Sequence, residues 1–105
     1  MRHISPEMLK QRLERGDNLE LIDVRDPWEF ETCRIGGSRN IPMMQIESSL
    51  QQINAAAETV LICHHGMRSM QVAGYLESLG FASVINLDGG IQRWAETVDP
   101  DMPQY

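Results

Sequence analysis

The sequence predicts an α/β domain in which a mostly parallel sheet is covered by helices on both faces. Two observations predict it. Three short, almost uniformly apolar segments, LELIDV at 19–24, TVLIC at 59–63 and SVINL at 83–87, read as strands buried on both sides. Segments of helical spacing separate them, and strands alternating with helices imply parallel crossover connections. No repeat, linker or low-complexity stretch divides the 105 residues. The expectation is one domain over 1–105, with its core at about 4–96 and an irregular tail at 97–105.

Each element has its own signal. Ile4 opens a short extended piece. Ser5, Pro6 and Glu7 then supply an N-cap, a first-turn proline and an early acid, and Gly16 ends the helix. After the strand at Leu19 to Val24, Asp26 caps one or two helical turns over Pro27 to Thr32. Gly36 and Gly37 make a bend, and a short strand at Asn40 and Ile41 is closed by Pro42. Met43 to Ala57 reads as helix with weak periodicity. The strand Thr59 to Cys63 leads to a helix over Ser69 to Leu79, capped by Gly80, with Val72, Ala73, Leu76 and Leu79 on one face. The strand Ser83 to Leu87, a turn at Gly89 and Gly90, and a short helix from Ile91 to Glu96 complete the core.

Composition excludes several function classes. Hydrophobic residues make up 42% and charged residues 23%, as in ordinary globular domains. No apolar run approaches the roughly 18 residues that cross a bilayer, and the N-terminus lacks a signal-peptide pattern, so the expected compartment is the cytoplasm, without membrane association. A net charge of −6 with dispersed basic residues argues against nucleic acid. It also means that any anion site must be made locally. Cys33 and Cys63 form no CxxC, and Cys63, His64 and His65 are too crowded to chelate zinc comfortably, so neither a metal nor a cofactor is expected.

Chemistry concentrates at Cys63, at the carboxyl end of a buried strand, where ligands bind in parallel α/β sheets. The loop CHHGMRS runs from Cys63 to Ser69. Gly66 permits a conformation closed to other residues. The helix start adds free N–H groups, and Arg68 adds a guanidinium, so the loop is expected to favour an anionic sulfur, including a persulfide.

Here the chain resembles a known family. TVLICHHGMRSMQVAGYLESLGF-ASVINLDGGIQRW is similar to the second half of a rhodanese domain: strand, Cys-x-x-Gly-x-Arg-Ser loop, helix, strand and a Gly-Gly-x-x-x-Trp ending. LIDVRDPWEFETCRIGGSRNIP resembles its first half, with Asp-x-Arg, an aromatic–acidic stretch, a turn and Asn-Ile-Pro. The likeness runs from about Ile4 to Trp94. It implies a rhodanese-like three-layer fold and a sulfurtransferase that moves sulfane sulfur from thiosulfate or a persulfide to a thiol, cyanide or protein acceptor. In that reading Cys63 is the nucleophile. His64, His65, Gly66, Met67, Arg68 and Ser69 form the binding loop, while Asp23 and Arg25 brace it. A non-turnover sulfur-carrier or partner-docking module of the same fold is the alternative.

Phosphatases and arsenate reductases of this fold also use a cysteine loop, in the pattern Cys-x5-Arg. The spacing here is Cys-x4-Arg, a tighter ring suited to one extra sulfur atom, and no acid within it could protonate a leaving oxygen. Other positions depart from the family. His64 and His65 stand where thiosulfate-processing members often carry a basic residue, and a histidine is half-charged only near pH 6.5. Thiosulfate binding is therefore expected to be modest at neutral pH and to strengthen as pH falls. Gly36 replaces a proline of the family's turn. Cys33 reads as a space-filling residue that could otherwise resolve a persulfide. Met43, Met44, Met67 and Met70 read as an apolar wall. Trp28 and Trp94 read as packing residues, with Trp28 closer to the pocket. The tail is expected to lie over the domain or to project from it.

Overall fold

The computed structural model describes residues 1–105. Strand β1 (Arg2–Ile4) leads into helix α1 (Pro6–Glu14), where the Ser5 hydroxyl accepts from the Met8 N–H. Strand β2 (Glu20–Asp23), helix α2 (Pro27–Thr32) and the two-residue strand β3 (Arg39–Asn40) follow. Strand β4 (Glu58–Ile62), helix α3 (Met67–Ser78), strand β5 (Ser83–Leu87) and helix α4 (Gly90–Thr97) make up the second half. All pairings are parallel, in the order β1-β5-β4-β2-β3.

The expected fold class is present, and two elements differ from expectation. Met43 to Ala57 is not one helix. It forms two 3-10 segments, Met43–Gln45 and Glu47–Gln52, followed by a turn. The absence of a continuous apolar stripe explains why no α-helix propagates there. The α3 helix starts two residues before Ser69, because Gly66 (φ +98°) supplies the reversal that lets Met67 be helical.

The strands alternate faces with a period of two, and this sorts the core into two layers. Leu21, Val60, Ile62, Ile85 and Leu87 pack with α1 and α4, including Leu9, Ile91 and Trp94. Ile22, Val24, Leu61, Cys63 and Val84 pack with Val72, Ala73 and Leu76 of α3 and with Ile46 and Ile53 of the 3-10 region. Burying aliphatic side chains of this kind contributes roughly 1.5–3 kcal/mol each before entropy is counted. No helix is long and apolar enough to cross a membrane.

The tail lies over the domain rather than projecting from it. Met102 is buried in the α1/α4 layer, and Tyr105 reaches the end of the sheet. Strands β2 and β4 are neighbours whose successors add on opposite sides: β3 beyond β2, β5 beyond β4. The crevice above their carboxyl ends is where ligands of such sheets bind. Val24 N–H donates to Ile62 O there (2.9 Å), holding the two strand ends together.

Candidate active site

Cys63 leaves β4 at this crevice, about 1% exposed, with its thiol on the α3 side of the sheet. The Gly66 N–H donates to Sγ at 3.0 Å. The Ser69 hydroxyl lies 3.3 Å from Sγ and is also bonded to Asn86 Oδ1 on β5. Its single proton serves one acceptor at a time, so a negative sulfur competes with the amide for it. One amide and one hydroxyl therefore meet the resting thiol, fewer than a complete ring of amides.

The back of the loop is bonded to α4. Ile91 N–H donates to Cys63 O (2.9 Å) and Gln92 N–H to His64 O (3.0 Å). Free N–H groups at the start of α4 thus hold the carbonyls on one side and leave loop amides for the other. Gly90 makes the approach possible: its φ is +57°, and a Cβ there would stand 2.3 Å from Cys63 O.

Arg68 is not a free charge beside the sulfur. Its Nη1 and Nη2 donate to Glu29 Oε2 (2.8 Å) and Oε1 (2.9 Å), joining the start of α3 to α2. Glu29 is buried and also accepts from the Asp26 backbone N–H. The Arg68 guanidinium, with help from that N–H, lowers the carboxyl pKa to about 2. The folded state keeps this group ionised while the unfolded chain takes up a proton near 4.5. Its contribution is therefore complete above that value and is lost as pH falls toward 2. Glu29→Gln should lower neutral-pH stability by about 1–3 kcal/mol and flatten the acid limb of the stability–pH curve, read from urea midpoints. A limb of unchanged slope would contradict the assignment.

Asp23 and Arg25 form an ion pair at the carboxyl end of β2. Both are fully buried, with Arg25 Nε 2.9 Å from Asp23 Oδ1 and Nη2 2.7 Å from Oδ2. Arg25 also donates to Cys33 O (2.6 Å) and to the Tyr105 hydroxyl (2.8 Å). The Asn40 amide donates to the carbonyls of Asp23 and Arg25, so β3 is tied in as well. The Tyr105 hydroxyl in turn donates to Glu29 Oε1 (3.0 Å), and burial raises its pKa to about 12, so it stays protonated. One chain of bonds thus runs Asp23–Arg25–Tyr105–Glu29–Arg68.

His64 is half-buried, its ring 3.3 Å from Gln92 Oε1. Desolvation first, and then the neighbouring His65, push its pKa below the usual value. The charge expected of it therefore arrives only in more acidic solution. His65 and Met67 are exposed. Cys33 is a free, buried thiol packed in the α1/α4 layer, and Trp94 is buried there too, whereas Trp28 is 58% exposed. Of the expected methionine wall, Met43 and Met44 line a groove of about 240 Å³ with Ile46, Val72 and Tyr75, and neither Met67 nor Met70 lines it. No group of three metal-ligating side chains occurs.

The family described as the rhodanese-like domain matches residues 5–97. This chain belongs to that family. The rhodanese-like domain is 34% identical over 103 residues to thiosulfate sulfurtransferase GlpE of Pseudomonas fluorescens, covering 98% of this chain and 93% of that protein. It is 41% identical over 93 residues to rhodanese-like/PpiC domain-containing protein 12 of Arabidopsis thaliana, covering 85% of this chain. The domain spans only 31% of that plant protein's length. Among solved structures, a rhodanese-like domain protein from Staphylococcus aureus superposes with a TM-score of 0.84 at 31% identity, covering 90% of this chain and 91% of that one.

Glu29, Asn86, Gly90 and Tyr105 were not singled out as functional from the sequence. The Gly-Gly pair before a helix signalled a turn but not its contact with Cys63. Glu29 carried a signal only as the N3 acid after the Asp26 cap.

Proposed function

We propose that this domain is a sulfurtransferase working by double displacement through a persulfide on Cys63. The observation that carries the reading is Cys63 Sγ at the end of β4, met by the Gly66 N–H and the Ser69 hydroxyl inside a Cys-x4-Arg loop. The Cys63 thiolate attacks the outer sulfur of thiosulfate, the S–S bond breaks, and sulfite leaves with the electron pair. The new Cys63–S–S⁻ keeps the charge within reach of the same donors. A thiol, a protein acceptor, or cyanide in an assay then attacks that outer sulfur and restores the thiolate. GlpE relatives of nearly the same length support thiosulfate as one donor. Cys63 is the nucleophile, His64 to Ser69 form the cradle, and Asp23 and Arg25 hold its flank. Residues 1–105 act as one unit.

The buried thiol favours a second reading, in which the persulfide is stable and turns over slowly, as in a carrier module. Intact mass after incubation with thiosulfate tests both. A gain of one sulfur atom, absent in Cys63→Ser, is expected, and no gain in the native protein overturns the sulfurtransferase reading. Loading without measurable thiosulfate:cyanide turnover selects the carrier.

A further inference from the structure

We propose that Asn86 is a positioning residue that keeps sulfur on Cys63: by holding the Ser69 hydroxyl proton, it withholds a donor from the sulfur that must leave when a persulfide is discharged. The inference rests on the sulfurtransferase reading and adds what sets the lifetime of its intermediate.

Asn86 is bonded to both residues that meet the Cys63 sulfur. It lies on β5, about 2% exposed, two positions after Val84 and on the same side of the sheet as Cys63. Its Nδ2 donates to Gly66 O at 3.3 Å and to Asp88 Oδ1 at 3.4 Å, and its Oδ1 lies 2.5 Å from Ser69 Oγ. A carbonyl and a carboxylate only accept, so they fix the amide with its NH2 toward them and its oxygen toward Ser69. That oxygen has no proton to give. The Ser69 hydroxyl therefore donates to Asn86, and Sγ, 3.3 Å from Oγ, has the weaker claim on it. Ser69 and Cys63 are both buried, so bulk water does not stand in for the withheld donor.

The cost falls on discharge. The acceptor attacks the outer sulfur of Cys63–S–S⁻, the S–S bond breaks, and Sγ leaves with the electron pair. With cyanide the products are thiocyanate and the Cys63 thiolate, two negative charges before and after. Charge gathers on Sγ along this path, and a hydrogen bond to an ionised acceptor is about twice as strong as a neutral one. Ser69 supplies that bond only by giving up Asn86. The amide thereby slows departure of Sγ and lengthens the life of the persulfide. The donor that remains is the Gly66 N–H, 3.0 Å from Sγ in a loop whose carbonyl Asn86 also holds.

Asn86→Leu and Asn86→Val remove the acceptor without adding another. Each protein is loaded with thiosulfate, freed of donor by gel filtration and mixed with excess cyanide. Loss of one sulfur from Cys63 is then followed by intact mass in a single turnover. Both variants are expected to discharge about three- to tenfold faster than the native protein, because the hydroxyl is free to turn to Sγ. In a Ser69→Ala background the same substitutions are expected to change nothing, because no hydroxyl remains to be released. That background separates positioning from packing. A loosened core that merely admits cyanide speeds discharge with or without Ser69, and such a result overturns the inference. Discharge at the native rate or slower in both variants overturns it too, as does failure of both to fold, which marks Asn86 as a structural group. In each of these cases a native protein that loads and discharges sulfur leaves the sulfurtransferase reading intact. Failure of native Cys63 to load overturns both.

Discussion

Alanine at Gly90 is expected to unfold or displace the end of the domain that carries the Cys63 loop, although it adds only one methyl group. Two penalties combine. The backbone at Gly90 has φ +57°, a left-handed conformation costing a residue with a Cβ about 1–2 kcal/mol. The new Cβ would also stand 2.3 Å from Cys63 O and 2.5 Å from His64 O, both backbone atoms with no rotamer to escape into. Relief requires α4 to move away, which breaks the bonds from Ile91 N–H to Cys63 O and from Gln92 N–H to His64 O. The combined loss should reach about 3–5 kcal/mol in urea unfolding, with sulfur loading of Cys63 lost even where folded protein remains. An unchanged urea midpoint would show that α4 does not hold the loop as described.

The second large effect is at Arg25. Arg25→Met keeps much of the volume but leaves the Asp23 carboxylate, which has no exposed surface, without its guanidinium. Stranding one partner of a buried ion pair costs about 3–5 kcal/mol. The same change frees the Cys33 carbonyl and removes the donor to the Tyr105 hydroxyl, so the tail should loosen as well. The Asp23→Asn/Arg25→Met double variant should regain a large part of the loss, because no buried charge then lacks a partner. Urea midpoints of the two single variants and the double variant measure this. A double variant no more stable than Arg25→Met would mean that the ties of Arg25 to Cys33 and Tyr105, rather than the charge pair, hold this corner.

What the sequence showed well was local. The runs at Leu19–Val24, Thr59–Cys63 and Ser83–Leu87 announce strands because apolar side chains dominate both faces, and Ser5–Pro6 and Asp26–Pro27 mark helix starts through their own backbone chemistry. The Cys63 loop is legible for the same reason: thiol, glycine and helix start lie within a few residues. The connections that give the site its character join distant positions. Glu29 meets Arg68 across 39 residues and Tyr105 meets Arg25 across 80, and no spacing rule links them. Arg68 consequently looked like a charge available to sulfur, when its fork is filled by Glu29. The stretch after Pro42 was misread because weak periodicity does not distinguish a helix from consecutive 3-10 turns.

The two-residue alternation along β2 and β4 also governs electrostatics. Asp23 emerges with Leu21 toward α1 and α4, while Cys63 emerges with Leu61 toward α3. The peptide sheet therefore acts as a partition between the Asp23 carboxylate and the Cys63 sulfur. Slipping β4 by a single residue would turn Ile62 to the α3 side and bring the sulfur round to the carboxylate's side of the partition. Length in this strand is thus constrained by the side of the sheet on which the thiol emerges as well as by packing.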